Sequence, residues 1–90
     1  MSEIIKLNYP IEINGEVINE VTLRRPKTKD MKNIEKRGGG EISQSIHMIA
    51  DLSGLDIKTI EELDAADFQH LNDVVAGFLD STGDRSSKSV

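Results

Sequence analysis

A chain of 90 residues and 10.0 kDa, with 11 Lys and Arg against 16 Asp and Glu, carries a formal charge of -5 and a pI near 4.9. That length is one domain and excludes a large enzyme with a deep interior. Only about 60–65% of the unfolded surface is buried at this size, so a thin core supplemented by partner surface is expected. With no Cys there are no disulfides, no thiolate nucleophile and no Cys-ligated metal site. Neither a signal-peptide pattern nor an apolar run near the roughly 20 residues of a membrane span is present, so a soluble cytoplasmic chain with no membrane partner is expected.

From residue 4 to 13 the apolar side chains Ile5, Leu7, Tyr9, Ile11 and Ile13 alternate with polar ones, the period of a half-buried strand. Pro10 lacks a ladder N–H and marks an edge. Asn14-Gly15 signals a hairpin, after which Val17, Val21 and Leu23 are again odd. A two-residue Asn14-Gly15 loop would set odd positions opposite even ones and split the apolar face. A three-residue loop with a bulge at Gly15 pairs Ile11 with Val17, Leu7 with Val21 and Ile5 with Leu23, and is the register expected. It turns Ile18 outward and Asn19 inward, near Tyr9.

After Pro26, Thr28 offers an N-cap oxygen to a short helix over 28–37, with Asp30 in its first turn, bases in its last, and only Met31 and Ile34 as an apolar stripe. Gly38-Gly39-Gly40 ends it as a hinge. Ile42, Ile46, Ile49 and Ala50 then follow helical spacing over 41–53, closed by Gly54. Asp56 is placed to cap a short helix over 57–63. Asp64 caps a last helix over 64–80, whose stripe is Phe68, Leu71, Val75 and Phe78. Residues 81–90 hold one apolar side chain in ten and read as a disordered tail. The expected fold is α+β in a single domain over 1–80: an N-terminal antiparallel β-hairpin (4–25) followed by about three helices, with a helical C-terminal half.

Charge is segregated, with residues 24–37 at net +5 and residues 38–84 at net -9. A nucleic-acid interface would use Arg24, Arg25, Lys27, Lys29, Lys32, Lys36 and Arg37, but the overall charge is negative and no aromatic is interleaved for stacking. Steering toward acidic helices of the same chain, a copy or another partner uses those cations better. Asp67, His70 and Asp73 drift around a helix and lack a fourth ligand, so a solvent face is expected rather than a metal site. Ser43 and His47 are helix neighbours without an orienting acid or oxyanion hole. Glu41 stands where a phosphate loop needs its lysine. No catalytic, cofactor or metal residue is therefore assigned, and a non-enzymatic role with no cofactor is expected. Most of Ile42, Ile46, Ile49, Phe68, Leu71, Val75 and Phe78 pack internally, yet the hairpin offers only one apolar face. Part of that stripe, with Arg24, Arg25 and Lys27, is the candidate partner-binding surface.

In order, the segments Leu23-Arg24-Arg25-Pro26-Lys27, Ile49-Ala50-Asp51-Leu52-Ser53-Gly54-Leu55, Ile60-Glu61-Glu62-Leu63-Asp64-Ala65-Ala66-Asp67-Phe68 and Gly77-Phe78-Leu79 give the chain a family likeness. It resembles the short, Mu-like (gpE-like) tail assembly chaperones of contractile-tailed bacteriophages over about residues 4–79. The resemblance implies a non-enzymatic helper that coats the tape-measure protein, helps bring tail tube protein to it, works in the host bacterial cytoplasm and is absent from the mature virion. Self-association is an additional possible partner mode. The resemblance also implies that a frameshift near residue 81 appends a further domain in some members. Two other readings stay open: a small regulatory or nucleic-acid-binding protein using 24–37, and a structural tail subunit that remains in the particle.

Overall fold

The computed structural model describes the backbone of residues 2–89 and the side chains of residues 2–79, so the tail expected over 81–90 lies outside the described side chains. Two strands, β1 (Ser2–Ile13) and β2 (Glu16–Arg24), form an antiparallel hairpin. Four helices follow: α1 (Thr28–Arg37), α2 (Glu41–Ser53), α3 (Ile57–Glu61) and α4 (Ala65–Ser89). The fold is α+β with a helical C-terminal half, as the periodicities indicate.

The hairpin register corrects the expectation. Asn14 and Gly15 both lie at positive φ, 49° and 82°, the conformation of a two-residue turn whose twist matches the strands. Ile13 therefore faces Glu16, Glu12 faces Val17 and Ile11 faces Ile18. The apolar face is not split, because the ladder slips between Lys6 and Ile11: residues 7–10 stand opposite Asn19 alone, and beyond them Ile5 faces Val21 and Glu3 faces Leu23. The pairs Ile11–Val17, Leu7–Val21 and Ile5–Leu23 do not form. Ile18 turns inward against the core while Val17, Asn19 and Tyr9 are exposed, so Asn19 does not point inward to Tyr9.

Two features make the slip tolerable. Pro10 has no N–H to lose from the ladder. The N–H groups of Asn8 and Tyr9 are instead accepted by the two carboxylate oxygens of Asp67, at 3.0 and 2.9 Å. Asp67 is the third residue of α4 and is 1% exposed. Two backbone donors left out of the ladder thus find acceptors from 58 and 59 residues away, on a buried carboxylate that fixes the start of α4 against β1.

Helix ends follow local chemistry, with two changes from expectation. The N-cap of α1 is Lys27 rather than Thr28, and the Lys27 N–H donates to the Asp30 carboxylate at 2.7 Å, the acid-to-cap half of a capping box. Asp56 precedes α3, but its backbone carbonyl, not its side chain, accepts from Thr59 and Ile60. Asp64 does cap α4, its carboxylate taking the Ala66 N–H at 3.0 Å. Between α1 and α2, Gly39 sits at φ 92°, where a Cβ would also come within 3.3 Å of the Ser43 Cβ. Only glycine suits that link.

The core lies between the inner hairpin face and the helices. Ile5, Leu7, Val21 and Leu23 meet Ile49, Ala50 and Leu52 of α2, and Ile60, Leu63, Leu71 and Val75 close it from the C-terminal half. α2 is central, contacting β2 and the other three helices, and α4 reaches β1. Among the described residues no helix is long and apolar enough to cross a membrane.

Candidate functional site

The apolar positions singled out from sequence divide sharply by depth. Ile49 and Leu71 are fully enclosed and present no surface, and Val75 is buried but for the edge it gives to a second groove. Ile42 is 66% exposed on the first turn of α2, with Ile46 and Phe68 half-buried beside it. These three line a groove of about 220 Å³ whose remaining wall is Ile60, Leu63 and Ala65, with Glu61 on its lip. A large aliphatic side chain left in water there is the kind of surface that a partner covers.

A second groove, of about 450 Å³, runs along another face of α2. Ile34 of α1, Met48 of α2 and Val75 and Leu79 of α4 supply its apolar wall, and Glu41, Gln44 and Asn72 its polar rim. The half-buried Phe78 belongs to neither groove. Its ring lies 5.4 Å from the Arg25 guanidinium carbon, and its backbone carbonyl accepts from the same guanidinium at 3.2 Å. That contact joins α4 to the segment between β2 and α1 by a cation–π interaction and a hydrogen bond.

The three arginines of the basic segment are each engaged within the chain. Arg24 makes a two-point ion pair with Asp30, at 2.8 and 2.9 Å, and Arg37 meets Asp51 at 3.3 Å on the surface. Asp30 is 2% exposed, and the Arg24 hydrogen bonds hold its carboxyl down at about 2, assisted by the Lys27 N–H and opposed by burial. The same pair raises Arg24. Lys27 is exposed and joins this cluster through its backbone, its N–H donating to the Asp30 carboxylate and its carbonyl accepting from the Asp30 N–H, while Lys29, Lys32 and Lys36 are exposed along α1.

Asp67, His70 and Asp73 separate as helical drift requires: His70 and Asp73 face solvent, but Asp67 is buried on β1, which corrects the solvent-face reading for that residue. Among the described residues no cluster of three His, Asp or Glu side chains is arranged to hold a metal. His47 does not pair with Ser43, since its Nδ1 is buried with no hydrogen-bond partner. Asp30 and Asp67 were not legible as structural anchors.

The domain is α+β, with a thin shared core and two open apolar grooves along α2. Residues 4–80 match the family described as phage tail assembly chaperone proteins, E, or 41 or 14, and the chain belongs to that family. No curated protein and no solved structure matches it.

Proposed function

We infer that this tail assembly chaperone acts without catalysis, by holding an apolar helical segment of the tape-measure protein in the Ile42–Ile46–Phe68 groove and helping to recruit tail tube subunits. The observation that carries this reading is Ile42, two-thirds exposed at the head of a half-covered groove. A groove of this form accepts one face of an amphipathic helix reversibly, and the surrounding acids keep the complex soluble. On this reading the protein works in the host cytoplasm, belongs to the Mu-like branch serving contractile tails and leaves before the virion is complete. The nucleic-acid alternative is disfavoured, because Arg24, Arg25 and Arg37 already have intramolecular partners.

Coexpression with the tape-measure protein, followed by sizing with light scattering, tests the reading. A soluble co-eluting complex that is lost with Ile42→Asp, while circular dichroism of the variant is unchanged, is expected. A tape-measure protein equally soluble without this chain would overturn it, and copurification with finished tails would favour a structural subunit instead.

A further inference from the structure

The hairpin is a two-stranded sheet, so each strand has an edge that no third strand pairs among the described residues. In an antiparallel ladder, alternate residues of such an edge turn N–H and C=O away from the partner strand, a template for a further strand. The two edges differ. β1 is unfit for that use, because Pro10 has no N–H and those of Asn8 and Tyr9 are already accepted by Asp67. β2 carries no proline and no lysine over its nine residues, and Arg24 at its end is engaged by Asp30. Four of the nine, Val17, Ile18, Val21 and Thr22, are β-branched and suit strand pairing. α2 meets this strand from the inner face, at the buried Val21 and Leu23, while Glu16, Val17, Asn19, Glu20 and Thr22 stay exposed. Past the pair Ile13–Glu16 that closes the turn, Val17 is the first residue of β2 whose backbone faces outward, and it is 62% exposed. The strand is also acidic. Glu16 and Glu20 lie on it, and Lys6, opposite Glu20, is the ribbon's only cation besides the engaged Arg24.

We propose that the outer edge of β2 is a docking site for an extended basic segment of another protein, which adds as a third strand and sets its cationic side chains beside Glu16 and Glu20. Main-chain hydrogen bonds supply the attraction, and the two glutamates select the charge. A second copy of this chain is the poorer occupant, since pairing β2 with β2 crowds four like charges onto one ribbon. The edge shares no residue with the Ile42–Ile46–Phe68 groove, and the tape-measure reading is not needed for it. Where both hold, one copy of the protein grips a helix and a strand at the same time, and so brings two components together.

Calorimetric titration of the full chain with three synthetic peptides, each as long as β2, tests it. In the first, lysine alternates with valine; in the second, glutamate takes the place of lysine; the third is the lysine peptide N-methylated at two adjacent central amides, which blocks both of its edges and keeps its charge. The lysine peptide binds, and either change weakens it by about tenfold or more. Amide exchange locates the contact: outward amides of β2, that of Val17 first among them, gain protection, and those around Ile42 and Phe68 do not. Glu16→Lys with Glu20→Lys, at two exposed positions and with the fold checked by circular dichroism, turns the preference to the glutamate peptide. No binding of the lysine peptide at about 1 mM overturns the proposal, as does equal binding of its methylated form or protection that falls outside β2. Outward β2 amides already protected before any peptide is added, in a species heavier than 10.0 kDa, would assign the edge to a second copy and overturn it too. None of these readouts uses the tape-measure protein, so the two readings fail separately.

Discussion

Asp30 and Asp67 occupy the same place, the third residue of a helix, and both reach back to the hairpin, but by different chemistry. Asp30 takes a guanidinium and a cap N–H, whereas Asp67 takes two backbone N–H groups. For Asp30 the folded carboxyl sits at about 2 against an ordinary 3.8, so as pH falls the unfolded chain binds the proton first. Its contribution is complete above about pH 5 and is lost as pH drops through about 2. Because Arg24 is 38% exposed, the contribution is discounted to about 1–2 kcal/mol. Urea unfolding between pH 6 and 2 reads this directly: Asp30→Asn is expected to lower stability by about 1–3 kcal/mol at pH 6 and by far less near pH 2. Asp67→Asn replaces one buried acceptor with a donor facing a backbone N–H. A loss of about 1–3 kcal/mol is expected, with faster amide exchange at Asn8 and Tyr9, whereas His70→Ala and Asp73→Ala should stay within about 0.5 kcal/mol. Unchanged exchange at those two amides in Asp67→Asn would show that the carboxylate does not hold them.

At the scale of the elements, the turn outranked the face. Asn14-Gly15 adopts the tight turn its residues favour, and the parity conflict this creates is absorbed between Lys6 and Ile11. Gly15 has open space around a Cβ but sits at φ 82°, so Gly15→Ala is expected to lose about 1–2 kcal/mol from backbone strain alone. A thermal melt measures it, and a gain in stability would mean that the turn relaxes. The order of hairpin and helices was legible because each element has its own period: odd positions over 4–13, helical spacing through Ile42, Ile46 and Ile49, and Phe68, Leu71 and Val75 further on. The register was not legible, since local alternation carries no trace of an acceptor 59 residues away. The site was half legible. Ile42, Ile46 and Phe68 shared a stripe with Ile49 and Leu71, and only tertiary packing separates surface from core within it. Arg24 and Arg25 read as surface cations, and nothing local announces that Asp30 and Phe78 engage them.

At the scale of the whole molecule, one core is shared by both halves of the chain, because Val21 and Leu23 of the hairpin and Leu71 of α4 are all buried in it. Hairpin and helices should therefore unfold together. Fluorescence of Tyr9, the single tyrosine, and helical circular dichroism are expected to give coincident urea transitions, and separated midpoints would mean that the hairpin melts by itself. Leu71→Asp, which places an unpaired charge in that common core, should abolish both signals at once.

The clamp of Asp67 on Asn8 and Tyr9 also bears on how the protein is made. The first 24 residues leave the ribosome with everything needed to form a hairpin except the groups that hold its slipped register. At about 5–20 residues per second, the nascent strands wait about 2–9 seconds between the emergence of Arg24 and that of Asp67. During that interval the ribbon can explore either pairing, with its apolar face uncovered. Prompt completion of the C-terminal half is therefore what protects the hairpin, and a pause placed between those two codons is expected to release more aggregated product than a pause placed after them.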